Sequence, residues 1–240
     1  MTQNNLRNLR MAFVFPGQGS QSPGMGKDLA ETFAVARQVF EEADDALGFA
    51  ISRLCFDGPA EDLQLTENTQ PAILTVSVAA FRAMQEAGIE APAFVAGHSL
   101  GEYSALVAAG SLSLSEAVRT VRARGRYMQE AVPVGTGAMA AVIGGDLEAI
   151  ERICAEARGD QVCSIANINA PNQVVIAGNT EAVDRAVELL SGVARKVVKL
   201  KVSAPFHCAL MKPAQDRLAP DLAALNFSGP AIPVVTYVDA

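Results

Sequence analysis

Gly97-His98-Ser99-Leu100-Gly101 limits what this chain can fold into more than any other stretch. It joins an apolar run, Ala93 to Gly97, to a stretch of helical character, Leu100 to Ala109. Ser99 stands between glycines at the spacing of a nucleophile elbow, a sharp strand-to-helix turn that exposes a serine hydroxyl. The plainer alternative is a small residue in a tight turn. A nucleophile needs three companions that the turn does not: a general base, an oxyanion hole and a group that recognises the acyl chain.

A strand-to-helix turn implies a strand–loop–helix unit, and a second one precedes it. Met11 to Phe15 reads as a buried strand stopped by Pro16-Gly17, with a helical region following from about Lys27 to Leu54. Thr69-Gln70-Pro71 has the form of a helix start, Thr69 as cap and proline in the first turn, for a helix running to about Glu86 and ending at Gly88. Two such units in succession predict an α/β fold with a parallel sheet.

Residues 136–201 follow another pattern. Strands are expected at Ala138–Ile143, Val162–Ile168, Gln173–Ala177 and Arg195–Leu200, with helices at Leu147–Ala157 and Glu181–Leu190. That β-α-β-β-α-β order is ferredoxin-like. The expectation is a small subdomain, 136–201, inserted into a large domain made of 1–135 and 202–240. A loop, Val202–Cys208, a helix from about Ala209 to Leu225 and a strand, Pro233–Val238, return to the large domain, which is left with three parallel strands, thin against a typical sheet of about five or six.

Composition narrows the function classes. A net charge of −7 and a pI near 4.9 argue against nucleic acid or anionic membrane as the main partner. No apolar run approaches the ~20 residues of a membrane span, and Met1 to Arg10 lacks the apolar centre of a signal peptide. Cys55, Cys154, Cys163 and Cys208 form no C-x-x-C pair and no zinc spacing, so no metal is expected. The expectation is a reduced, cytoplasmic monomer.

The chain has two histidines, which shortens the search for a base. His98 directly precedes Ser99 at a strand end, where neighbouring side chains point to opposite faces, and is badly placed to take its proton. His207 lies in a loop where a base can converge on the turn, and is the candidate. The oxyanion hole is expected from the backbone N–H of Leu100, at a helix start, and of Gln18, in the Phe15–Gln21 loop FPGQGSQ. For the acyl group, the helical stretch Leu114–Met128 places Arg124 on the apolar face with Leu114, Ala117, Val121 and Met128. Arg119, Arg122 and Arg126 fall opposite, toward solvent. A buried guanidinium requires a partner: a carboxylate of this chain, or the free carboxylate of a dicarboxylic acyl substrate held by the arginine fork.

FPGQGSQ, TQPA, GHSLGEYSAL, RGRYMQEA, GTGAMAAV, QVVIAG and APFHCALMKPA, in this order from Phe13 to Val238, resemble the malonyl-CoA:acyl-carrier-protein transacylases, which are related to polyketide-synthase acyltransferase domains. The resemblance implies an α/β-hydrolase-like domain with a ferredoxin-like insertion. It implies that Ser99 attacks malonyl-CoA, with His207 as base, Gln18 and Leu100 as oxyanion donors and Arg124 holding the malonyl carboxylate. The malonyl group passes to the phosphopantetheine thiol of an acyl carrier protein, with no bound cofactor. Gln70, His98 and Asn169 match residues that line the family's active site. Leu100 and Phe206-His207 match the malonyl-type pattern; methylmalonyl-type relatives carry glutamine after the serine and serine before the histidine. Family members run some tens of residues further, through a segment whose backbone carbonyl orients the histidine. Carrier proteins are acidic, and the basic run Arg195–Lys201 is the expected docking segment. Two other readings use the same residues: a serine esterase or thioesterase with the same Ser/His pair, and a truncated, inactive carrier-binding relative.

Overall fold

The computed structural model describes residues 11–133, 135–200 and 202–238. Its contacts form two compact units, one reaching to Gly125 and resuming at Asp221, the other Arg126–Pro220. The first begins with β1 (Ala12–Phe15), α1 (Lys27–Thr32), α2 (Ala34–Leu47), α3 (Ile51–Asp57), α4 (Ala60–Leu63) and α5 (Thr66–Glu86). β2 (Phe94–Gly97), α6 (Gly101–Ala108) and α7 (Leu114–Ala131) follow, α7 running on into the second unit. There come β3 (Gly137–Ile143), α8 (Leu147–Arg158), β4 (Cys163–Ala170), β5 (Gln173–Asn179), α9 (Thr180–Leu190), β6 (Lys196–Lys199), a 3-10 turn (Ala209–Met211) and α10 (Lys212–Ala223). β7 (Val234–Val235) closes the described chain in the first unit.

The first unit holds the expected parallel sheet, ordered β1-β2-β7. Its core is built around α5, whose Ala72, Ile73, Leu74, Val78 and Ala79 pack with Val39, Phe40 and Ala43 of α2 and with Leu114, Ala117, Val118 and Val121 of α7. Phe15 and Val95 pack with Phe81 and Ala105 in a smaller cluster. Phe15 pairs with Gly97, so β1 and β2 end side by side and the loops that leave them emerge together. That edge, at the carboxyl ends of parallel strands, is where open α/β sheets place their ligands.

Several boundaries differ from the expectation: the strand expected at Pro233–Val238 is only Val234–Val235, and the helix expected from Ala209 is a 3-10 turn followed by Lys212–Ala223. α5 begins at Thr66, and Pro71 lies inside it. Thr69 is no cap: its hydroxyl donates to the carbonyls of Leu63 (2.6 Å) and Leu65 (3.1 Å), which braces the turn upstream of the proline. Pro71 sits early enough in the helix to forfeit a single backbone hydrogen bond.

α7 also departs from a helical-wheel reading at one position. Leu114, Ala117, Val121 and Met128 are buried, and Arg119 and Arg126 exposed, as expected. Arg122, expected in solvent, is half-buried with its guanidinium 4.1 Å from the centroid of the Phe49 ring. The loop after α2 carries Phe49 onto that face, and the cation stacks on the ring.

The second unit contains the expected β-α-β-β-α-β array as an antiparallel sheet ordered β4-β5-β3-β6. Both faces of its centre are covered. Ala140, Val142, Val174 and Ile176 pack with Ile150 and Cys154 of α8 and with Ala182, Val183 and Ala186 of α9. The alternate residues Met139, Val175 and Ala177 pack with Met128 and Val132, with Ala204 and Phe206, and with Met211 and Ala214. Burial on two faces is why β5 reads as a continuous apolar run rather than an alternating one. It is also why this unit takes in residues on either side of 136–201. No helix among the described residues is long and apolar enough to cross a membrane.

Candidate active site

Ser99 occupies the corner between β2 and α6 with φ 53°, in the left-handed region. His207 is the other described non-glycine residue with positive φ, at 60°. A side chain in this region is strained, and such strain concentrates at functional sites. The two residues expected to be nucleophile and base are therefore the two that the fold forces into an unfavourable backbone. The turn at Ser99 is tight because Gly97 and Gly101 lie backbone against backbone, and Gly101 in turn lies against the carbonyl of Phe15. A methyl group at either position has no space, so α6 can start directly on the ends of β1 and β2.

Four further residues of the first unit converge on Ser99. Arg124 donates from Nη2 to Ser99 Oγ (3.1 Å) and from Nη1 to Gln70 Oε1 (2.8 Å). Gln70, fully buried, donates from Nε2 to Gln18 Oε1 (3.3 Å), and Gln18 Nε2 reaches Thr66 Oγ1 (3.5 Å). The question of Arg124's partner is settled within the described residues: no carboxylate lies in ion-pair range of it. Burial pushes the guanidinium below its usual pKa, and Tyr103, Glu102 and Tyr237 push it back up. Arginine stays protonated under any such shift, so a fixed cation, with no carboxylate in ion-pair range among the described residues, stands at the serine hydroxyl. Tyr103 lies 5.8 Å below it, ring centroid to guanidinium carbon, and burial raises the phenol's own pKa.

The oxyanion candidates are the backbone N–H groups of Gln18 and Leu100. Gln18 leaves β1 and Leu100 leaves β2, and among the described residues no hydrogen bond takes up either N–H. His98 Nε2 meets Tyr237 Oη at 3.3 Å, the rings edge to face with centroids 5.1 Å apart. The Tyr237 N–H donates to Glu102 Oε2 at 3.2 Å. Thr66, Glu102, Tyr103 and Tyr237 were not anticipated. Glu102 and Tyr103 follow the turn in GHSLGEYSAL, whereas Tyr237 is brought to the site by β7 alone, with no local signal.

His207 and Asn169 belong to the second unit. His207 is half-buried in the turn before the 3-10 segment, fixed by a bond from Phe206 N–H to Ala204 O (3.1 Å) and one from Cys208 Sγ to Pro205 O (3.1 Å). Asn169 is exposed on β4, next to a register shift. In the basic run, Lys196 is exposed, Lys199 pairs with Asp184, and Lys201 lies outside the described residues. Among the described residues no three His, Cys, Asp or Glu side chains cluster in a way that could hold a metal ion.

Residues 12–239 match the acyl transferase domain family. The chain is 54% identical over 231 residues to the malonyl CoA-acyl carrier protein transacylase of Escherichia coli (strain K12), covering 96% of this chain and 75% of that one. The Bacillus subtilis (strain 168) transacylase is 48% identical over 233 residues, with 96% and 73% covered. Among solved structures, an acyl carrier protein S-malonyltransferase from Vibrio cholerae superposes with a TM-score of 0.93 at 53% identity, over 96% of this chain and 76% of that one. A malonyl-transacylase in complex with a type II polyketide-synthase acyl-carrier protein gives 0.93 at 52% identity, over 96% and 75%.

Proposed function

We infer from this chain's family, the acyl transferase domain family to which it belongs together with the malonyl CoA-acyl carrier protein transacylases, that it moves a malonyl group from malonyl-CoA to an acyl carrier protein for fatty-acid synthesis. It is an S-malonyltransferase, and its residues divide the work as follows.

Ser99 Oγ attacks the thioester carbonyl while His207 takes the hydroxyl proton. The N–H groups of Gln18 and Leu100 receive the oxyanion. As the intermediate collapses, the C–S bond breaks and His207 returns the proton to the departing CoA sulfur. The phosphopantetheine thiol of the carrier then gives its proton to His207 and attacks the malonyl-serine ester, whose C–O bond breaks as Ser99 regains a proton. Arg124 binds the malonyl carboxylate as a two-pronged donor. In the free site one of those prongs rests on Ser99 Oγ, so the arriving carboxylate takes that donor and leaves the hydroxyl to the base. No bound cofactor enters the scheme, and the cytoplasm, where malonyl-CoA and reduced thiols occur, is its setting.

The observation that carries this reading over an esterase is the Arg124 guanidinium 3.1 Å from Ser99 Oγ with no carboxylate among the described residues paired to it. A hydrolase of neutral esters gains nothing from an unpaired cation there; a transferase of a dicarboxylic acyl group requires one. Arg124→Ala should therefore slow acyl-enzyme formation from malonyl-CoA about a hundredfold, the worth of roughly 3 kcal/mol of charge-assisted hydrogen bonding. Acetyl-CoA, which has no carboxylate, should be affected little. Equal losses for the two thioesters would make Arg124 a structural residue and return the esterase to favour.

For the carrier, the segment 195–201 supplies positive charge in an acidic protein; Arg195, Lys196 and Lys199 are exposed, and Lys199 pairs with Asp184. Lys196→Glu should raise the KM for the carrier and leave that for malonyl-CoA unchanged, since rim charges act on association. An unaltered carrier KM would remove this segment from the docking surface.

A further inference from the structure

The reach of Arg124 depends on how closely α7 approaches α5. We propose that Gly125 is a specificity-determining residue. Its lack of a side chain lets α7 lie against the first turn of α5, which sets the depth of the Arg124 guanidinium and hence the length of the carboxyl-bearing acyl group that fits. The proposal deepens the reading of Arg124 as the carboxylate clamp and rests on it.

A Cβ at Gly125 would stand 2.5 Å from the Thr66 carbonyl oxygen and 2.8 Å from both Thr66 C and Glu67 Cα. All three are backbone atoms, so no rotamer change relieves the contact; a helix must move. Helix separation is set by the side chains at the contact, and here one side contributes none. Nothing local calls for glycine at this point. Gly125 is in the interior of an eighteen-residue helix, with no positive φ, where glycine costs about 1 kcal/mol relative to alanine.

The consequence falls on the neighbouring residue. Thr66 and Gln70 are four apart on α5 and share a face. The face that receives Gly125 through the Thr66 carbonyl is thus the face whose Gln70 accepts from Arg124. Thr66 Oγ1 also holds Gln18, which holds Gln70 in turn. The loop after β1, the start of α5 and the middle of α7 are locked by one continuous set of contacts around the Gly125–Thr66 approach. Moving α7 outward draws the guanidinium back from Ser99 and lengthens the gap that the acyl chain must bridge.

The test compares rates of acyl-enzyme formation from malonyl-, succinyl- and acetyl-CoA, read by intact-protein mass spectrometry, for the parent, Gly125→Ala, Arg124→Lys and Arg124→Ala. Gly125→Ala should lose malonyl loading and raise the succinyl-to-malonyl ratio by roughly tenfold or more, the scale on which one methylene and a displacement of about 1 Å are felt. Acetyl loading should change far less. Arg124→Lys shortens the arm without touching the helix contact and should shift the ratio in the same direction, which tests the link from the depth of the cation to the length of the acyl group even where Gly125→Ala does not fold. A succinyl-to-malonyl ratio equal to the parent's in folded Gly125→Ala, or in Arg124→Lys should the former not fold, overturns the proposal. If Arg124→Ala treats malonyl and acetyl alike, the clamp reading fails and the proposal with it. If Arg124→Ala separates them while Gly125→Ala keeps the parent ratio, the clamp stands and the proposal alone fails.

Discussion

Ser99→Ala should abolish the malonyl-sized mass gain of the protein after mixing with malonyl-CoA, a loss on the order of 10⁶-fold in rate as for other serine nucleophiles. The substitution removes Oγ and leaves the φ of 53° no more strained than before, since alanine and serine meet the same hindrance from Cβ. The turn, held by the Gly97–Gly101 packing, should keep its shape. Arg124 also keeps Gln70 as a partner and gains an uncommitted prong, so calorimetry should still detect malonyl-CoA binding. Binding without acylation is the outcome that assigns the covalent step to Ser99. A mass gain that persists in the variant would move the nucleophile to another residue.

His207→Asn should slow acylation by about 10³-fold, the usual worth of a positioned general base. Asparagine is the informative replacement because it tolerates left-handed backbone better than alanine does, and His207 has φ 60°. The turn between Phe206 and the 3-10 segment is thereby kept while the imidazole is lost. Single-turnover loading followed by mass spectrometry should show a slow but saturable reaction with the parent's KM for malonyl-CoA, because Arg124 and its contacts to Gln70 and Ser99 are untouched. A rate within a few-fold of the parent would remove His207 as base.

Much of this arrangement is written locally. The alternation of apolar runs with glycine-bounded loops predicts β1, β2 and the parallel pairing. The 136–201 stretch spells out its six elements in order because each carries its own period. The Ser99 turn is legible for the same reason: glycines at 97 and 101 state how close the backbone must come, whatever surrounds it. The start of α5 was less legible, because Thr69-Gln70-Pro71 has the form of a cap and the contrary signal is two hydrogen bonds to carbonyls upstream.

By itself, then, the sequence determined the order of the elements, the glycine-flanked turn that carries Ser99, and the presence of one arginine on the apolar face of α7. Only the tertiary structure decided what that arginine meets. Gln70 lies 54 residues from Arg124 and Ser99 lies 25; both contacts exist because Gly125 lets two helices approach across Thr66. The same holds for Phe49 over Arg122, for Tyr237 beside His98, and for the segments that cover the second face of the antiparallel sheet. Periodicity tells which face of an element is apolar or charged. It does not tell which distant element covers that face, because that choice is made by packing among surfaces that a short window of sequence never contains.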